Sequence, residues 1–148
     1  MVIGGGTLAL FGTSIISQVA TGTLNILYNT LGFITYGNTS NILIKNIKST
    51  LNTFDLDVNI KLAQEFLLKT DKTDNEKIIE KGLNDVINKI NTQLEIINNT
   101  ITSHQSKWFA SYRNFDVSSN ILELKELSTI LNHRLELLIL LTTNRSSV

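Results

Sequence analysis

Neither cysteine nor proline occurs among the 148 residues. The missing cysteines exclude disulfide frameworks, thiolate zinc sites and cysteine nucleophiles, and they fit a reducing compartment. The missing prolines favour uninterrupted helices, because proline removes a backbone donor and clashes with the turn before it. Charge is absent from the first third: no Asp, Glu, Lys or Arg occurs between Met1 and Ile44, and the first is Lys45. An excess of one sign is missing too, since 13 basic residues balance 13 acidic ones. A protein built to hold nucleic acid needs a basic surplus to neutralise phosphate, so nucleic acid is not an expected partner.

What remains is apolar for a folded chain, with 42% hydrophobic and 18% charged residues. That is globular composition, and a chain of this length hides roughly 70% of its unfolded surface. Asparagine and isoleucine are overused, a bias that AT-rich codons would produce. The charge boundary suggests two parts: an uncharged apolar segment over 1–37 and a helical domain over 38–148, whose hairpin spans 74–143.

In the uncharged segment, Ile3, Leu8, Leu10, Phe11, Ile15, Ile16 and Val19 are candidates for membrane or assembly contact. Length and absence of charge meet the first demands of a bilayer. Against this, Gln18, Asn25 and Asn29 interrupt every full-length window, and no basic n-region or clean cleavage site marks a secretory signal. Three readings stay open: an all-round apolar helix or helix pair buried in the domain or an identical subunit, insertion into lipid, or a glycine-rich arm that orders in an assembly. Gly4-Gly5-Gly6 lacks both the G-x-G-x-x-G spacing and the lysine of a phosphate loop.

After the turn at Gly37–Asn41, Ile44, Ile47 and Leu51 predict a short helix ending near Leu51. Phe54 to Leu62 alternates like a strand, yet Leu56, Ile60, Ala63 and Leu67 share one helical face. A lone strand would leave its backbone unpaired, so helix is expected. Thr73 and Glu76 make a capping box for a long helix. Along it Leu83, Ile87, Ile90, Leu94, Ile97, Ile101, His104 and Trp108 recur at four-three spacing, the seam of a coiled coil. Near Asp116 the pattern breaks. Asp116, Ser118, Ser119 or Asn120 can cap the next helix, with Asn120 and Glu123 loosely at capping-box spacing. Leu124, Leu127, Leu131, Leu135, Leu138 and Thr142 then form a second seam. The expected fold is all-α: a helical bundle with a long C-terminal antiparallel hairpin and an uncharged N-terminal helical segment.

The hairpin tip gathers Trp108, Phe109, Tyr112, Arg113 and Phe115, residue types enriched at binding hot spots and equally suited to plugging a core. Only two histidines occur, His104 on the seam and His133 beside Arg134 and Glu136. Neither has metal-ligand spacing. Pairing them across the hairpin would supply two ligands, short of a site. No nucleophile elbow is present. No catalytic residue, cofactor, metal or small-molecule substrate is therefore expected.

The stretch Lys107-Trp108-Phe109-Ala110-Ser111-Tyr112-Arg113, with the leucine-rich helix running to Leu141, resembles the C-terminal hairpin of small helical proteins from AT-rich giant DNA viruses of the mimivirus kind. The resemblance covers about the last third of the chain and implies a viral source; it brings no activity or site residue with it. The expectation is a non-catalytic structural, scaffolding or interaction protein with a protein partner or a second copy. The alternative is a membrane-associated protein that puts its N-terminal segment into lipid.

Overall fold

The computed structural model describes residues 18–29, 42–105 and 115–146. All their regular structure is helical: α1 over 18–29, α2 Ile42–Asn52, α3 Leu56–Leu67, α4 Asp74–Gln105 and α5 Ser118–Ser146. The all-α reading holds, and the alternating stretch at 54–62 is a turn followed by helix. Asp55 takes a left-handed backbone (φ 51, ψ 30), which breaks any strand, and its carbonyl accepts from the Asn59 amide at 3.0 Å to open α3. Leu56 and Ile60 then fall on the buried face while Val58 and Leu62 turn outward. The alternation reflects two helical faces offset by two residues, each repeating every four.

Helices α4 and α5 form the expected hairpin. Asn120 Nδ2 donates to Gln93 Oε1 at 2.8 Å, and the Arg134 guanidinium donates to the Gly82 carbonyl. An early residue of α5 thus meets a late one of α4 and the reverse, so the pair is antiparallel. Leu83, Ile87, Ile90, Leu94, Ile97 and Ile101 are all essentially inaccessible, facing Leu124, Leu127, Leu131, Leu135 and Leu138. Val86, off the four-three seam, is equally buried. The buried strip is wider than a two-helix seam because α3 packs against both α4 and α5. Such a strip is what a helix in a globular bundle shows.

The ends of these helices follow local chemistry. Thr73 Oγ1 accepts from the Glu76 amide at 3.2 Å, the expected cap of α4, and Asp74 and Glu76 place negative charge in its first turn. At the start of α5 the cap is Asp116, whose Oδ1 accepts from the Ser118 amide at 2.9 Å and from the Ser118 hydroxyl. Asn120 is not a cap: it lies inside α5, where its amide bridges to α4.

Helix α1 belongs to the same core. Ala20, Leu24 and Leu27 are buried with the residues of α3, α4 and α5. Gln64 Nε2 donates to Thr21 Oγ1 at 2.7 Å, and the Tyr28 hydroxyl donates to Asp57, so α1 runs antiparallel to α3. Thr23 is fully buried. Its hydroxyl donates to the Val19 carbonyl at 2.8 Å and accepts from Asn91 Nδ2 at 2.9 Å, tying α1 to α4. Gln18, Asn25 and Asn29 face outward. This stretch is amphipathic, with one face in the bundle, rather than apolar all round.

Candidate interaction surface

Of the candidate residues at the hairpin tip, Phe115 is described, and Trp108, Phe109, Tyr112 and Arg113 lie outside the described residues. Phe115 is half-buried against the core, its ring 4.6 Å from that of His104 at 50°. That packs Phe115 against the last turn of α4. Among the N-terminal candidates, Ile3, Leu8, Leu10, Phe11, Ile15 and Ile16 lie outside the described residues. Val19 is half-buried against the core.

The two histidines do not meet. His104 is buried, with Nε2 unpaired, at the far end of α4. His133 is exposed and precedes Arg134, which reaches Gly82 near the opposite end of the hairpin. At 1.5 Å of rise per residue, Gly82 and His104 are about 33 Å apart. Among the described residues no group of three or more His, Asp or Glu could hold a metal ion.

Three polar clusters hold helices in register. Lys72, on the loop into α4, reaches Glu80 Oε2 at 2.9 Å and the Leu67 carbonyl at 3.1 Å, with the Phe66 ring 5.3 Å beneath its ammonium. Its side chain is 5% exposed, so its charge is almost fully withdrawn from water and needs those partners. Arg134 spans from α5 to the Gly82 carbonyl, its side-chain carbon and nitrogen atoms lying over the glycine. On the surface, Asp57 accepts from Tyr28 and pairs with Lys61 at 2.9 Å. The Tyr28 bond, then Lys61, holds its carboxyl below the usual 3.8, and the same network raises Lys61.

The surface feature that stands apart is the outer face of α5. Ile130, Leu137 and Leu140 are 41%, 43% and 60% exposed, and Leu122 and Ile139 also face water. Ile130, Leu137 and Leu140 fall with His133 at three-four-three spacing, on the side away from the buried leucines, while Ile139 opens on the other flank of the helix. The sequence carries the signal for this second row in Leu135-Glu136-Leu137-Leu138-Ile139-Leu140-Leu141, which has more apolar residues than one face can use. Following only one seam misses it. Among the described residues no helix is long and apolar enough to cross a membrane. No family model matches the chain, and neither does any curated protein or solved structure compared with it.

Proposed function

We propose that this chain is a non-catalytic helical protein that works by association, as a scaffolding or interaction component. The α4–α5 hairpin is its rigid part and the outer face of α5 its contact surface. One observation carries the reading: α5 already buries a full row of leucines against α4, yet presents a second aliphatic row to solvent on the same rigid helix. Contiguous apolar patches rimmed by polar side chains mark association sites on folded proteins. The reading of the N-terminal segment as a lipid anchor has less support over 18–29, where the apolar face is spent inside the bundle.

A photo-crosslinking residue placed at Leu140 tests this, with Lys89 on the exposed side of α4 as control. In cells that make the protein, the Leu140 position is expected to give a discrete adduct and the Lys89 position none. Absence of any adduct from Leu140, or equal labelling from both, would overturn the proposal.

A further inference from the structure

We draw no further inference here: the strongest candidate, the buried His104 ring packed on Phe115 at the end of α4 with its Nε2 unpaired, carries nothing, because among the described residues no set of metal ligands gathers around it and the stretch 106–114 that follows it lies outside them.

Discussion

At Gly82, two turns into α4, the helix bears the full backbone-entropy cost of an interior glycine. An added Cβ would meet the Arg134 side chain at 3.5 Å, which is ordinary van der Waals contact. Gly82→Ala is therefore expected to stabilise the protein by about 0.5–1 kcal/mol, read as a higher urea midpoint at unchanged slope. Destabilisation would show that Arg134 cannot hold the Gly82 carbonyl beside a methyl group. Asp116 supplies a second residue-scale expectation. Two bonds from Ser118, hydroxyl first and amide second, lower its carboxyl from the usual 3.8. A lowered carboxyl contributes stability that is complete above the unfolded value and is lost as pH falls through the folded one. Asp116→Asn should thus be less stable than the parent at pH 7, with the gap closing as pH drops below about 3.8, in melts across that range. A gap constant with pH would mean that the ionised carboxylate is not what caps α5.

Between elements, the Lys72–Glu80 pair, its ammonium almost inaccessible and its carboxylate 17% exposed, decides how the α3–α4 corner is held. Removing one member of a buried ion pair strands the other. Lys72→Met, which leaves a Glu80 carboxylate still in partial reach of water, should cost about 1–2 kcal/mol in urea denaturation, while adding Glu80→Leu should recover most of it. Simple additivity of the two changes would show that the groups act independently. Sequence reasoning had no route to this pair, because it depends on a loop residue folding back over the Phe66 ring. The helices themselves were legible. Leu83 to Ile101 and Leu124 to Leu138 announce their buried faces through spacing alone, and of the side-chain capping cues Thr73 and Asp116 act where expected, while Ser118, Ser119 and Asn120 lie inside α5. Asn120 turns instead to Gln93 across the hairpin, a partner that local sequence does not reveal.

For the whole molecule, α1 completes the core rather than hanging from it. Leu24 and Leu27 are buried with Ala63 of α3 and Ile90 of α4, and Thr23 satisfies Asn91. Deleting residues 1–37 should therefore lower stability by at least the worth of two buried leucines, about 4 kcal/mol, and raise binding of an apolar dye to the exposed face. A truncated chain as stable as the whole would show that the remaining helices close without α1. The charge boundary near Lys45 thus marks a change in composition that the packing crosses, since uncharged α1 shares its core with the charged helices.

What the sequence settles by itself is the helical class and the hairpin, because periodic apolar spacing and capping chemistry act over a few residues. What tertiary structure alone decides is which apolar faces find a neighbour. Leu138 and Leu140 have the same character two positions apart, yet one is buried at 7% exposure and the other stands 60% open. Only the placement of α3 and α4 against one side of α5 separates them, and the surface left uncovered is where association is proposed.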